Sequence, residues 1–148
     1  MDLVVVFSSK VNLNKKIVAV SGYFDPLHIG HLEYFHLSKA LGDFLYVIVN
    51  NDKQAFLKKG SSFMNESDRV EIIRSLKIVD NVILSIDNDL TVSKTLKLIK
   101  PHIFANGGDQ LTGSIREEEI CLRNNIEVVG SLGKKIRSSS DLTGIKSR

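Results

Sequence analysis

The stretch that decides the fold is SGYFDPLHIGHLEYF, residues 21–35. It follows an apolar run at residues 17–20 and leads into a pattern with helical spacing. Gly22 lets the backbone approach a ligand closely. His28 and His31 are three residues apart, so on a helix they share one face. The stretch therefore predicts a strand, a turn and a helix whose N-terminal N–H groups and two imidazoles meet an anion.

Short apolar runs rich in valine and isoleucine alternate along the chain with segments of helical periodicity. Runs that are apolar on both faces are typical of strands buried in a parallel sheet. Their alternation with helices over short connections predicts right-handed crossovers. We therefore expect an α/β fold, a Rossmann-like doubly wound parallel sheet of about five strands with helices on both faces. The predicted strands are residues 17–21, 44–50, 82–86, 102–105 and 126–129.

Helix-starting and helix-stopping residues mark the segments between these strands. The helix after the opening turn is expected to end at a capping glycine, Gly42. Asn65 and Ser67 are candidates for the N-cap of a later helix, and Pro101 stops the helix before the fourth strand. Cys121 lies in a helical pattern and is interpreted as a small core residue.

The bulk composition indicates one globular domain spanning residues 1–148, with 43% apolar and 25% charged residues. The net charge of +3 suits a phosphate-bearing ligand, and no nucleic-acid-binding motif is present. A single cysteine excludes an internal disulfide, and no apolar run approaches the ~20 residues of a membrane span. We expect a cytoplasmic protein without a membrane partner. Residues 1–16 are interpreted as an extra edge strand or a subunit contact.

The two imidazoles of the opening stretch suit a polyphosphate, because they can donate hydrogen bonds to oxygens whose negative charge grows in a transition state. Gly30 between them leaves room for a bulky group. A zinc site is the weaker interpretation, since zinc takes three or four ligands and no cysteine or third histidine lies at ligand spacing. His36 and His102 are interpreted as ordinary surface or boundary residues.

The motif GYFDPLHIGH resembles the G-x-F-D-x-x-H-x-G-H signature of the cytidylyltransferase-like nucleotidyltransferases, and the resemblance continues along nearly the whole chain from Lys16. It implies transfer of a nucleotidyl group from an NTP, ATP or CTP, to a sugar- or polyol-phosphate, with release of pyrophosphate. It also implies Mg²⁺, held mainly by the NTP phosphates with no protein ligand, and a homodimer. By its segments the chain resembles the adenylyltransferase domain of ADP-heptose synthase, with glycerol-3-phosphate cytidylyltransferase and archaeal FAD synthase nearly as similar.

The resemblance assigns roles to residues of this chain. His28 and His31 stabilise charge on the phosphates, and no side chain acts as nucleophile because the acceptor's own phosphate oxygen attacks. The segment FLKKG resembles the lysine-bearing segment over the phosphates, which favours Lys59 over Lys58 as a catalytic group. The residues predicted to bind the acceptor are Asn50, Asp52 and Arg69, of which Arg69 reaches a phosphate or braces the site. The residues predicted to bind the nucleotide are Gly22, Tyr23, Phe24, Asp25, Gly30, Asn106, Gly107, Gly108, Asp109, Arg137, Ser138, Ser139 and Ser140.

Two segments depart from the family pattern, and the role of a third residue is inferred from its place in the turn. Asn106 stands where the heptose subgroup usually has lysine, which removes a cation and points to a different acceptor. The segment KIRSSSDL has serines at 138–140 where the family often has threonines, so its register is open by one residue. Asp25 is expected to cap or orient the histidine turn. The alternatives are an FAD synthase-like or phosphopantetheine-type adenylyltransferase acting on a cofactor precursor, and a nucleotide-binding regulator without turnover.

Overall fold

The computed structural model describes residues 14–108, 115–133 and 142–145. Strands and helices alternate along this part of the chain, with one extra helix after the second strand. The strands are β1 (Ile17–Gly22), β2 (Phe44–Val49), β3 (Asn81–Leu84), β4 (Ile103–Gly107) and β5 (Glu127–Leu132). The helices are α1 (Ile29–Lys39), α2 (Asp52–Lys59), α3 (Glu66–Arg74), α4 (Ser93–Ile99) and α5 (Glu118–Arg123).

The five strands form one parallel sheet in the order β3-β2-β1-β4-β5. β1 lies at the centre and pairs with β2 along its whole length, from Ile17 opposite Phe44 to Gly22 opposite Val49. From β1 the chain builds outward to β2 and β3, and then crosses back to lay β4 on the other side of β1. The predicted α/β parallel sheet is confirmed, with strand ends that differ by up to three residues from those read in the sequence.

Each face of the sheet carries its own apolar core. One face packs against α1 and α3, whose Phe35 and Ile73 are fully buried. The opposite face packs against α4 and α5 through Leu96 and Cys121, so the prediction that Cys121 is a core residue is confirmed. The strands alternate between the two cores, Val18 and Val20 facing the first and Ala19 the second. The two buried faces explain why the strand segments are largely apolar, with polar residues such as Glu127 at exposed positions of the edge strand β5.

The helix boundaries follow the expected signals except at the end of α1. The side chain of Asn65 caps α3 by accepting a hydrogen bond from the Asp68 N–H at 2.9 Å, and α4 ends at Ile99, two residues before Pro101. The prediction that Gly42 caps α1 is wrong, because Ala40 is the C-cap. Gly42 instead makes room for β1, since a Cβ there would lie 2.7 Å from Val18 Cγ2.

The predicted edge strand or subunit contact at residues 1–16 lies outside the described residues, apart from residues 14–16, which belong to no strand. Within the described ranges, no helix combines the length and apolar character needed to cross a membrane.

Candidate active site

The candidate site lies at the carboxyl edge of the sheet, where β1 and β4 diverge. In doubly wound sheets ligands bind in the crevice at this switch point. The turn that carries the two histidines follows β1, the two lysines end α2 after β2, and residues 106–108 end β4. The fold therefore brings to one edge the site residues that the sequence spread over more than 80 positions.

His28 and His31 form the N-terminal cap of α1. The Gly30 N–H donates to His28 Nδ1 at 3.2 Å, and the His28 N–H donates to His31 Nδ1 at 3.1 Å. The two side chains thus satisfy N–H groups that a helix start leaves unpaired, in the reciprocal manner of a capping box. The imidazole rings stack with centroids 3.7 Å apart. The prediction that the two rings share one face is confirmed, and their role as helix caps was not foreseen.

These hydrogen bonds assign the tautomers. A nitrogen that accepts a hydrogen bond carries no proton, so in each neutral ring the proton resides on Nε2. Protonation of either ring would turn its Nδ1 into a donor facing an N–H group and break the cap. Burial lowers the pKa of His31 to about 3, with further lowering by His28 and Lys59. His31 is therefore a neutral Nε2–H donor at physiological pH.

Phe24 packs against the histidine pair. Its ring is 2% exposed and meets His31 edge to face, with centroids 4.9 Å apart. Phe24 has a φ of +52°, a left-handed conformation that is unfavourable for a bulky residue and persists only where the surroundings enforce it. Gly22 makes this possible, because a Cβ there would lie 2.8 Å from the Phe24 ring. Gly22 was predicted to admit a ligand, whereas the structure shows that it admits Phe24.

Asp25 anchors the loop that follows α2. Its buried carboxylate accepts hydrogen bonds from the N–H groups of Phe63 and Met64, each at 2.7 Å. Asp25 was expected to cap or orient the histidine turn, and the cap itself is supplied by His28 and His31. The carboxylate instead ties the loop at residues 60–65 to the turn after β1.

Arg69 is a buried brace, the second of the two roles that the sequence analysis gave it. Its side chain is fully buried, and its guanidinium donates to the carbonyls of Tyr23 at 2.8 Å, Asn50 at 2.7 Å and Met64 at 3.0 Å. It also pairs with the Asp52 carboxylate at 2.7 Å. One side chain thereby joins the ends of β1 and β2, the start of α2 and the loop at 60–65.

Asn50 and Asp52, also predicted to bind the acceptor, serve this brace. Asn50 is 4% exposed and its carbonyl accepts from Arg69. The Asp52 carboxylate accepts from Arg69 and from the Glu66 N–H, while Glu66 accepts from the Asp52 N–H at 2.8 Å. These contacts engage the Asp52 carboxylate and the Asn50 carbonyl within the protein.

Lys58 and Lys59 both reach Tyr23, the residue that follows β1. Their amines lie 4.7 Å and 5.5 Å from the centroid of the Tyr23 ring. Burial lowers the pKa of Lys59, while the Asp25 carboxylate opposes that shift. Lys59 also contributes to lowering the pKa of His31, so its charge acts on that histidine.

The end of β4 supplies the opposite wall of the crevice. Ala105 pairs with Val129 and Gly107 with Leu132, so a bulge in β5 lies opposite Asn106. The Asn106 Nδ2 is buried and has no hydrogen-bond partner among the described residues. Gly107 admits the ring of Tyr34, which a Cβ would approach to 2.9 Å, whereas Gly108 has a φ of +61° and open space around it. Asp109, Arg137, Ser138, Ser139 and Ser140 lie outside the described residues.

The described acidic and histidine side chains do not form a metal-binding cluster. The Asp25 carboxylate, three residues before His28, is engaged with backbone N–H groups.

The chain matches a family model and several known proteins. Residues 19–147 match the model described as cytidylyltransferase-like. The bifunctional protein HldE of Aliarcobacter butzleri is 42% identical over 100 residues, covering 66% of this chain but 21% of that protein. The FAD synthase of Picrophilus torridus is 34% identical over 131 residues, covering 86% of this chain and 92% of the relative. The crystal structure of the lipopolysaccharide core biosynthesis protein from Thermoplasma volcanium is 34% identical, with a TM-score of 0.68 over 80% of this chain and 98% of that one.

Proposed function

The chain belongs to the cytidylyltransferase-like family of nucleotidyltransferases, and we propose that it transfers AMP from ATP to the phosphate of a small-molecule acceptor. An acceptor phosphate oxygen attacks the α-phosphorus of ATP, the bond between the α-phosphorus and its bridging oxygen breaks, and pyrophosphate leaves. ATP is preferred over CTP as donor because FAD, the product that several relatives are named for, contains an adenosine moiety. The observation that carries the proposal is the pair of stacked imidazoles at the start of α1, with His31 kept neutral by burial.

The histidines contribute by hydrogen bonding rather than by proton transfer. Both have Nδ1 engaged with the helix start, so each presents Nε2–H as its donor. A preorganised donor aimed at oxygens that gain charge lowers the barrier, because it needs no rearrangement at the moment of reaction. The first turn of α1 adds the positive end of the helix dipole. The reaction then depends on positioning and charge stabilisation, with the nucleophile supplied by the acceptor.

The cations of the site balance the phosphate charge. Lys58 and Lys59 project from the end of α2 over Tyr23, beside the histidine turn. Mg²⁺ belongs in this scheme to the substrate, as the MgATP complex, since the phosphates are its preferred oxygen ligands. Arg69 holds the two strand ends and the loop in place, so the lysines and histidines keep their spacing.

For the acceptor we propose first a sugar- or polyol-phosphate. The likeness to HldE and to the lipopolysaccharide core biosynthesis protein supports this class. FMN is the second candidate, because the relative named FAD synthase from Picrophilus torridus matches over 92% of its own length. The loop at residues 60–65 would face the acceptor in either case, since Asp25 and Arg69 both hold it at the site.

Pyrophosphate release tests the proposal. The protein is incubated with each of the four NTPs and Mg²⁺, against a panel of sugar phosphates, polyol phosphates, FMN and phosphopantetheine. We expect release only with ATP and one acceptor class. His31→Ala should lose at least about 100-fold in kcat, because it removes a preorganised donor. His36→Ala is the matched control, since His36 lies exposed on the same helix.

Three outcomes contradict the proposal. Unchanged turnover in His31→Ala excludes the imidazole role. Release with CTP but not ATP excludes ATP as donor. Binding of an NTP without pyrophosphate release for any acceptor identifies a regulator rather than an enzyme.

A further inference from the structure

The hydroxyl of Tyr34, a residue of α1, lies where the two central strands separate. The last pair between β1 and β4 is Ala19 opposite Phe104. Beyond that pair the strands diverge, although each continues further and β1 stays paired with β2 to its end. The Tyr34 hydroxyl donates to the Ala105 carbonyl at 2.5 Å, one residue past the last pair. It therefore contacts β4 at the point where the hydrogen-bond ladder between β1 and β4 stops.

The main chain of Ser21 meets the same hydroxyl from β1. Main-chain groups alternate in direction along a strand, and Ile17, on the same side of β1 as Ser21, pairs with His102 just before β4. The Ser21 N–H therefore points toward β4. Burial raises the pKa of Tyr34 above its ordinary value, and a hydrogen bond from the Ser21 main chain opposes that rise, as a donor to the hydroxyl oxygen does.

The Tyr34 hydroxyl thus stands between an N–H of β1 and a carbonyl of β4. If the ladder continued past Ala19 and Phe104, its next hydrogen bond would join the Ser21 N–H to the Ala105 carbonyl directly. A buried N–H or carbonyl without a partner is costly, so the strands can separate here only if another group pairs with both. The hydroxyl, which donates and accepts, meets that requirement.

The ring of Tyr34 connects this bridge to the two walls of the crevice. A Cβ at Gly107 would lie 2.9 Å from the Tyr34 Cδ1, so the ring packs directly on the end of β4. Tyr34 is three residues after His31 on α1, so the two side chains lie on one side of the helix, one turn apart. The side chain that lies between the strands therefore belongs to the helix that carries the histidine pair.

We propose that Tyr34 is a positioning residue that sets the width of the crevice. Its hydroxyl bridges β1 and β4 where their ladder ends, and its ring holds α1 against the end of β4. The histidine pair on one wall and residues 106–108 on the other thereby keep a fixed separation. The inference rests on the proposed function in taking these two walls to bind one substrate.

The test compares Tyr34→Phe with Thr95→Val, a matched control on α4, which packs on the opposite face of the sheet. The buried Thr95 hydroxyl accepts from the Ile86 N–H at 3.0 Å and donates to the Asp87 carboxylate at 2.6 Å. Each variant removes one bridging hydroxyl and nearly preserves the shape of its side chain. We expect each to lower Tm by about 2–6 °C, which makes the pair comparable in stability.

Hydrogen exchange at the Ser21 amide reports the bridge without ligand or turnover. The Ala19 amide, which remains in the ladder, corrects for the change in overall stability. In Tyr34→Phe the retained ring keeps the strands apart, so the ratio of the Ser21 rate to the Ala19 rate should rise at least about fivefold. Thr95→Val should leave this ratio unchanged. An unchanged ratio in Tyr34→Phe overturns the inference.

Turnover reports the width of the crevice. Because the proposed reaction depends on alignment between the two walls, Tyr34→Phe should lose at least about tenfold in kcat. The KM for ATP should change less, since alignment matters most in the transition state. Thr95→Val, assayed well below its Tm, should keep both values. An equal kcat in the two variants would reduce Tyr34 to a structural residue and overturns the inference.

The two proposals fail in different ways. If no acceptor gives turnover with the wild-type protein, the proposed function fails, and isothermal titration with MgATP replaces kcat as the readout. Weaker MgATP binding in Tyr34→Phe than in Thr95→Val then supports the role of Tyr34, and equal binding overturns it. If the wild-type protein turns over and Tyr34→Phe behaves as Thr95→Val does, the role of Tyr34 fails and the proposed function stands.

Discussion

Replacement of Arg69 by methionine tests the brace that holds the site together. Methionine keeps the buried volume apolar but removes donors to three main-chain carbonyls and to the Asp52 carboxylate. Each buried acceptor left unpaired costs about 1–3 kcal/mol. Methionine also avoids the desolvation cost of a buried guanidinium, and this offsets part of the summed loss. Because Asp52 is 39% exposed at its side chain, water can hydrate its carboxylate. We expect a net loss of about 3–5 kcal/mol in the free energy of unfolding, as for other broken buried pairs.

Urea unfolding followed by circular dichroism measures this loss. With a slope of about 2 kcal/mol/M, the midpoint should fall by about 2 M. Arg74→Met is the matched control on the same helix, because Arg74 is exposed and pairs only with Glu71 in the described structure. It should cost less than about 0.5 kcal/mol. A loss below about 1 kcal/mol in Arg69→Met would refute the brace.

Three further predictions concern the histidine turn and its loop. Because the pKa of His31 is about 3 in the folded protein and 6.5 ordinarily, the unfolded chain takes up a proton first as pH falls. The contribution of His31 to the free energy of unfolding is complete above pH 6.5. It should drop by roughly 2 kcal/mol between pH 7 and pH 5. In the same urea titrations, His31→Gln should not show this pH-dependent loss of stability. His28→Asn should keep the N-cap of α1 and the stability of the protein, whereas His28→Ala should lower the free energy of unfolding by about 1 kcal/mol. Both variants should lose turnover if the His28 Nε2–H acts on the substrate. Asp25→Asn should lower the free energy of unfolding by about 2 kcal/mol, since the amide oxygen replaces only one of the two carboxylate acceptors. Hydrogen exchange at the Phe63 and Met64 amides should become faster. Unchanged exchange would contradict the role of Asp25 in holding the loop at residues 60–65.

The parallel sheet was predictable because its evidence is local. A strand buried on both faces must be largely apolar, so the strand segments stand out in the sequence as runs rich in valine and isoleucine. Asn65 and Pro101 bound helices through contacts within one turn of the chain. The spacing of His28 and His31 placed both rings on one helical face for the same reason. Gly42 misled the prediction because a glycine that makes room for a neighbouring strand looks the same in sequence as one that caps a helix.

The partners within the site depended on the tertiary structure. Asp25 binds N–H groups 38 and 39 residues away, and Arg69 reaches a carbonyl 46 residues away. Such contacts exist only after the crossovers have brought the strand ends together. Because main-chain N–H and carbonyl groups are common to nearly all residues, the sequence does not show which of them will pair with a side chain. The sequence by itself determined the parallel sheet and the histidine pair, whereas helix α2 was not predicted. The tertiary structure alone decided that Asp25 and Arg69 brace the site and that the Tyr34 hydroxyl pairs with β4, because hydrogen-bond satisfaction is a property of three-dimensional neighbours.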